Sequence, residues 1–135
     1  MTNILQITPF LHVPDLARAL DLFTRVLRFE VKFRLQNYAY IEKEDAAIRI
    51  LEEPGRLAPA QGKARMTVYI DVRDVDALYE ELLPELRTLP RGDVQAPVDQ
   101  KYNQREFHVR LPDGHWLAFG QPIRQGPDGS SAQGL

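Results

Sequence analysis

The chain has 135 residues, 44% of them apolar and 27% charged, the balance of an ordinary globular protein with enough material for one core. It contains no cysteine, which excludes disulfides, thiolate metal sites and a cysteine nucleophile, and suits a cytoplasmic setting. A formal net charge of -2 offers no basic field for nucleic acid, and no run approaches the roughly 18 apolar residues of a membrane helix. The opening MTNILQITPFLHV lacks a basic segment followed by a long apolar one, so no signal peptide is expected.

Residues 4–13, ILQITPFLHV, read as a strand, and Pro9, which has no N–H, points to a sheet edge or to a place where the ladder is not needed. Val13-Pro14-Asp15 turns the chain and Asp15 is set to cap a helix. Leu16, Leu20, Phe23 and Leu27 follow at spacings of four, three and four, one apolar helix face. Three short strands are predicted at 30–35, 37–42 and 46–52, the last two joined across Glu42-Lys43-Glu44-Asp45. Residues 54–64, PGRLAPAQGKA, are the linker. A strand at 66–72 and a helix opened by Asp74 come next, with Val75, Leu78, Leu82 and Leu86 on one face and Pro84 expected to end or kink it. Residues 87–103 are irregular, with room for a strand near 93–96. A hairpin of strands 106–111 and 116–120 turns on Pro112-Asp113-Gly114-His115. The polar, glycine-rich tail from Arg124 is expected to be poorly ordered.

The second half repeats the first at an offset of 59 residues. Thr8 falls on Thr67, Phe10 on Tyr69, Leu11 on Ile70, Val13 on Val72, Asp15 on Asp74 and Phe23 on Leu82. A gapless match through strand and cap favours one βαβββ unit used twice over a chance likeness of two strand–helix pairs. The predicted fold is α+β: a single domain over 1–123, with modules at about 4–53 and 65–122 forming a curved mixed sheet around a cleft.

The segment TPFLHVPDLARALDLFTRVLRFEV resembles the opening strand and helix of the vicinal-oxygen-chelate superfamily, the glyoxalase, bleomycin-resistance and dioxygenase proteins. EFHVRLPDGHWLAFGQP resembles their closing hairpin, and together the likeness spans about residues 5–122. Thr8-Pro9-Phe10-Leu11 and Gln104-Arg105-Glu106-Phe107 look most like the bleomycin-resistance branch. Three departures stand out. Leu27-Arg28-Phe29 replaces the usual Leu-Gly-Phe, so no glycine is available for a left-handed helix exit; Phe23-Thr24 replaces Phe-Tyr; and Leu111 stands where the hairpin turn usually has an acid.

The resemblance implies a divalent-metal site built from His and Glu on four strands. Its positions fall on Thr8, Thr67, Ala118 and, within one residue, Arg49. Those side chains do not make a cation site, and a guanidinium would repel one. No metal, no cofactor and no catalytic residue is therefore expected. A non-standard set of His12, His108 and Glu106 is the alternative, against structural roles in which His115 is an exposed turn residue and His108 a partly buried hydrogen-bonding ring.

Strand alternation instead lines the inner faces with Thr8, Phe10 and His12, with Thr67, Tyr69 and Asp71, with Arg49, Leu51 and Glu53, and with Trp116, Ala118 and Gly120. Tyr102 lies in the loop before the closing hairpin. The predicted ligand-binding residues are Phe10, His12, Arg49, Tyr69, Tyr102, Glu106 and Trp116, a set suited to a planar or amphipathic organic ligand. Packing of Phe10, Tyr69 and Trp116 on the sheet or a subunit interface is the competing role. Arg49 either meets a ligand carboxylate or Glu106, or sits on a solvated face, as the strand register decides. Glu106 either meets a cationic ligand or makes a structural ion pair.

Taken with the resemblance, these features imply a cytoplasmic, homodimeric protein of the bleomycin-resistance type that sequesters a bleomycin-like or other aromatic compound. No nucleic-acid or membrane partner is expected. The alternatives are a glyoxalase- or dioxygenase-like lyase or isomerase with a non-standard or absent metal site, a metal-free acid–base catalyst using His12 or Glu106, and a ligand-sensing module.

Overall fold

The computed structural model describes residues 2–55 and 66–123. Most of the predicted linker and the whole tail from Arg124 lie outside them. The chain divides into two compact units, Met1–Ala58 and Pro59–Leu135. Each holds one four-stranded mixed sheet and one helical segment, an α+β arrangement.

In the first unit, β1 (Phe10–Val13) is followed by a helical segment in two parts. These are α1 (Leu16–Asp21) and a wider π-helical turn over Leu22–Val26; β2 (Glu30–Arg34), β3 (Tyr38–Lys43) and β4 (Ala46–Glu52) complete the unit. The sheet order is β1-β4-β3-β2, with β1 parallel to β4 and the other pairs antiparallel. Leu11, Val13, Ala39, Ile41, Ile48 and Ile50 are buried on one sheet face, as are Leu16, Leu20 and Phe23 of the helical segment. β1 is an edge strand, as Pro9 requires, but it is shorter than predicted. It starts only after the proline, and residues 2–9 make no strand. Pro9 contributes its carbonyl alone, accepting from Arg49 N at 2.9 Å, and Ile4, Leu5 and Ile7 are exposed.

The helix exit shows how the missing glycine is accommodated. Thr24 Oγ1 donates to the Leu20 carbonyl (2.7 Å), Leu27 N reaches back to Leu22 O (3.1 Å), and Phe29 N closes on Phe23 O (2.8 Å). That closure needs a left-handed residue between the cap and Phe29. Arg28 takes it at φ 63. A side chain there costs about 1–2 kcal/mol relative to glycine in that conformation, part of which the greater unfolded-state freedom of glycine cancels. Arg28→Gly is expected to raise stability by about 0.5–1 kcal/mol in urea denaturation. A loss would show that the guanidinium makes contacts worth more than the backbone strain.

The second unit repeats the plan. β5 (Thr67–Asp71), α2 (Val75–Leu86), β6 (Val94–Asp99), β7 (Gln104–Arg110) and β8 (Trp116–Pro122) give the order β5-β8-β7-β6, again with one parallel pair. Val68, Phe107, Val109, Leu117 and Phe119 are buried on one face; Phe107 stacks on Phe119 at 4.8 Å and meets the Tyr79 ring of α2 at 5.2 Å. α2 does not stop at Pro84. The proline falls in the last turn and is exposed, so the helix runs two residues further while the carbonyl the proline leaves unbonded can face water.

The internal repeat extends to the helix starts. Asp15 accepts from Arg18 N (3.1 Å) and Asp74 from Ala77 N (3.0 Å), the two predicted caps. A second acceptor comes from the end of the strand paired with β1 or β5: Glu52 Oε2 takes Leu16 N (2.9 Å), and Gln121 Oε1 takes Val75 N. Each helix therefore has two of its orphan donors satisfied, one by its own cap aspartate and one by its sheet.

Candidate functional site

Each sheet has one face turned away from its helix, and the predicted binding residues lie on these two open faces. In the first unit the register aligns Phe10 of β1, Arg49 of β4, Tyr40 of β3 and Phe33 of β2 in one cross-strand row, with His12, Leu51 and Tyr38 in the next. The rings form a near-continuous surface. Phe10 meets His12 at 5.4 Å and Tyr38 at 6.0 Å, and Phe33 meets Tyr38 at 6.2 Å. Arg49 is held among them, its guanidinium 4.8 Å from the Tyr40 ring centre and its Nη1 donating to the Tyr38 hydroxyl at 2.6 Å. Arg49 thus lies on the aromatic face, and its bonded partner is Tyr38. His12 Nδ1 is paired with Glu53 at the end of the same row. Phe10 and Phe33 remain 45% and 53% exposed, so these aromatics do not serve as core packing.

In the second unit the open face is polar at its centre. Glu106 of β7 is 1% exposed, and its Oε1 accepts from the Tyr102 hydroxyl and from His108 Nε2, both at 2.8 Å. His108 Nδ1 lies 3.1 Å from Gln95 Oε1, the partly buried hydrogen-bonding role predicted for it. Trp116 stands at one end of the face, its ring perpendicular to His108 at 6.4 Å. Tyr69 crosses over Gly120 to donate to Gln104 Oε1 at 2.9 Å. A Cβ on Gly120 would lie 2.0 Å from the Tyr69 hydroxyl oxygen, so only glycine leaves room for that ring. Burial first, then the neighbouring Glu106 carboxylate, holds the Tyr69 phenol well above its ordinary value; the same causes in the same order raise Tyr102. Both hydroxyls therefore stay protonated donors across the physiological range. Gly120→Ala is expected to swing Tyr69 away and break its bond to Gln104, at a cost near 1 kcal/mol because the ring's far end can move. A crystal structure of the variant with Tyr69 unmoved would contradict this.

Two sequence expectations are corrected here. His115 is not an exposed turn residue: it is 4% exposed, its Nε2 lies 3.2 Å from Asp113 Oδ2, and Asp113 is equally buried. Gly114, at φ 101, lets the turn fold both side chains inward. Thr8 is not part of the strand, which begins after Pro9, although Gln6 Nε2 links its hydroxyl (3.0 Å) to that of Tyr40 (3.2 Å) on the aromatic face. The sequence reading also passed over Phe33, Tyr38 and Tyr40, although Tyr38 and Tyr40 are two apart on one strand and their shared face was legible.

The metal that the resemblance implies does not fit these residues. Phe10 pairs with Arg49 as Tyr69 pairs with Ala118, so these two strands place a guanidinium at one position and a methyl group at its equivalent. Among the described residues no group of three or more His, Asp or Glu side chains is placed to hold a metal ion. Among the same residues no helix is long and apolar enough to cross a membrane. A recess of about 480 Å³ at the start of α2 lies away from the predicted site residues; its Arg105 is clamped by Asp76 (3.1 Å) and Asp99 (3.0 Å), an ion-pair network that ties α2 to β6 and β7.

The fold is shared with solved structures of low sequence identity. A glyoxalase/bleomycin resistance protein/dioxygenase from Nocardioides is 18% identical, with 96% of this chain and 91% of that one covered, at a TM-score of 0.69. The bleomycin-binding protein of bleomycin-producing Streptomyces verticillus, solved with copper(II)-bleomycin, is 22% identical over 93% of this chain and 100% of that one, at 0.70. The bleomycin resistance determinant encoded on the transposon Tn5 is 21% identical over 88% and 98%, at 0.71. No curated protein matches the sequence. The model of the Glyoxalase/Bleomycin resistance protein/Dioxygenase superfamily matches residues 3–119, and the chain belongs to that superfamily.

Proposed function

We propose that the protein binds and sequesters an aromatic or amphipathic small molecule, of the kind bound by the bleomycin-binding proteins whose fold it shares, without transforming it. One observation carries this reading: the row Phe10, Arg49, Tyr40 and Phe33 with Tyr38 beside it, a half-exposed aromatic surface around one guanidinium. Exposed rings fixed on strands bind planar ligands with little loss of side-chain freedom, and the guanidinium supplies orientation. The family's metal-ligand positions carry Thr8, Arg49, Thr67 and Ala118, which supports binding over lyase or dioxygenase chemistry.

The same reading makes the protein a cytoplasmic homodimer. The exposed Ile4, Leu5 and Ile7 ahead of edge strand β1 offer an apolar strip suited to a second copy. Light scattering at micromolar concentration should return twice the chain mass, and a monomeric mass would remove this part of the proposal. A thermal-shift screen of bleomycin and other aromatic compounds tests the binding itself. A ligand at 100 times its Kd should add about 2.7 kcal/mol of stability, and titration should quench Trp116 fluorescence. An unmoved melting temperature across the panel would count against binding.

A further inference from the structure

The first module supplies an aromatic surface; the second contains a group that its own packing leaves incomplete. Glu106 is buried to 1% exposure, yet both bonds it receives, from Tyr102 and His108, fall on Oε1. Among the described residues Oε2 is fully shielded and has no hydrogen-bond partner, although the Tyr69 hydroxyl lies near enough for the carboxylate to raise its pKa. A carboxylate has about four acceptor positions, and a buried one left half-satisfied is disfavoured unless something else fills it. The cationic side chains flanking it on β7 are committed elsewhere. Arg105 points to Asp76 and Asp99, and Arg110 lies 3.7 Å from Asp93. Neither is among Glu106's partners.

What surrounds the carboxylate resembles a recognition site more than a structural ion pair. Tyr69 and Tyr102 flank it, 40% and 48% exposed, the Tyr102 hydroxyl on the carboxylate and the Tyr69 hydroxyl on Gln104. An anion beside two half-exposed aromatic rings attracts an organic cation through charge, N–H donation and the ring quadrupoles together. Tyr102 sits on the short loop between β6 and β7, just before Asn103, whose φ of 66 sets the turn, and one hydrogen bond ties it to Oε1.

We propose that Glu106 Oε2 is the docking point for a protonated amine or amidinium carried beside a planar group, with Tyr69 and Tyr102 as its flanking walls. This rests on the small-molecule reading above and narrows the ligand class to organic cations with an aromatic or other flat neighbour.

The test compares 2-naphthylmethylamine with its neutral isostere 2-naphthalenemethanol, by isothermal titration calorimetry on the full chain. Wild type should bind the amine about tenfold tighter than the alcohol, the increment expected of a charge-assisted bond. Glu106→Gln keeps the shape and should cut that preference to below about twofold, chiefly by weakening the amine. Tyr102→Phe, which frees the carboxylate but keeps the ring, should retain the preference and guards against a Glu106→Gln chain that misfolds. Equal affinities for the two probes in wild type, or an unchanged preference in Glu106→Gln, would overturn the subsite while leaving the small-molecule reading intact. Binding of neither probe by wild type would overturn both.

Discussion

Phe107→Ala is expected to remove about 3–5 kcal/mol of stability, the largest effect of any single substitution considered. Phe107 is 0% exposed, stacks on Phe119 at 4.8 Å and meets Tyr79 of α2 at 5.2 Å, so its loss opens a cavity where three rings meet. Domains of this size have about 5–15 kcal/mol in total, which makes the loss a large fraction of the whole. Urea denaturation followed by circular dichroism checks it. A loss below about 1 kcal/mol would mean that the sheet and α2 close over the gap, and that the ring cluster is not the centre of the second unit's core. Phe107→Leu, which keeps most of the volume, should cost clearly less.

The second large effect falls on binding rather than stability. Truncating Phe10 and Tyr38 together to alanine should weaken an aromatic ligand by about 30–1,000-fold, since each ring is worth roughly 1–2 kcal/mol as an interface anchor. Phe10 is 45% exposed, and Tyr38 lies on the face opposite the buried Ala39 and Ile41, so stability should fall by less than about 1.5 kcal/mol. The double variant also strips Arg49 of its Tyr38 partner, leaving the guanidinium free to rotate. An equal loss of stability and affinity would mean that the rings hold the sheet together and that ligand contact is incidental.

Much of the fold was legible because the repeat is written in local chemistry. Asp15 and Asp74 announce helix starts by capping, and the apolar spacings behind them define the buried faces. The paired acceptors Glu52 and Gln121 were not legible. They act across a strand-to-helix contact that no local pattern encodes, although both lie 69 residues apart, as Arg49 and Ala118 do. Pro84 misled because a proline in a last turn forfeits only one bond, which solvent can replace. The sequence shows that no glycine is available at the helix exit but not what replaces it: Arg28 takes the left-handed conformation, and the closing bond from Phe29 to Phe23 outweighs the strain.

The site divides along the same line. Strand alternation placed Phe10 and His12 on one face and left Arg49 open between that face and a solvated one; the register sets it beside Phe10. Glu106, Tyr69 and Tyr102 were picked singly, and only the tertiary structure shows that they surround one carboxylate together with His108. His115 was read from its turn position, but a tight hairpin turn can bury what sequence context marks as surface.

The central claim is that the chain holds an aromatic ligand and leaves it unchanged. Calorimetric titration with bleomycin, repeated with a chelator present and followed by mass spectrometry of the recovered ligand, tests it most directly. The account predicts saturable binding at a micromolar Kd or tighter, about 8 kcal/mol, unaffected by chelation of the protein, with the ligand's mass intact. A divalent ion held by each chain together with a ligand of altered mass, or no saturable binding of bleomycin, would contradict it.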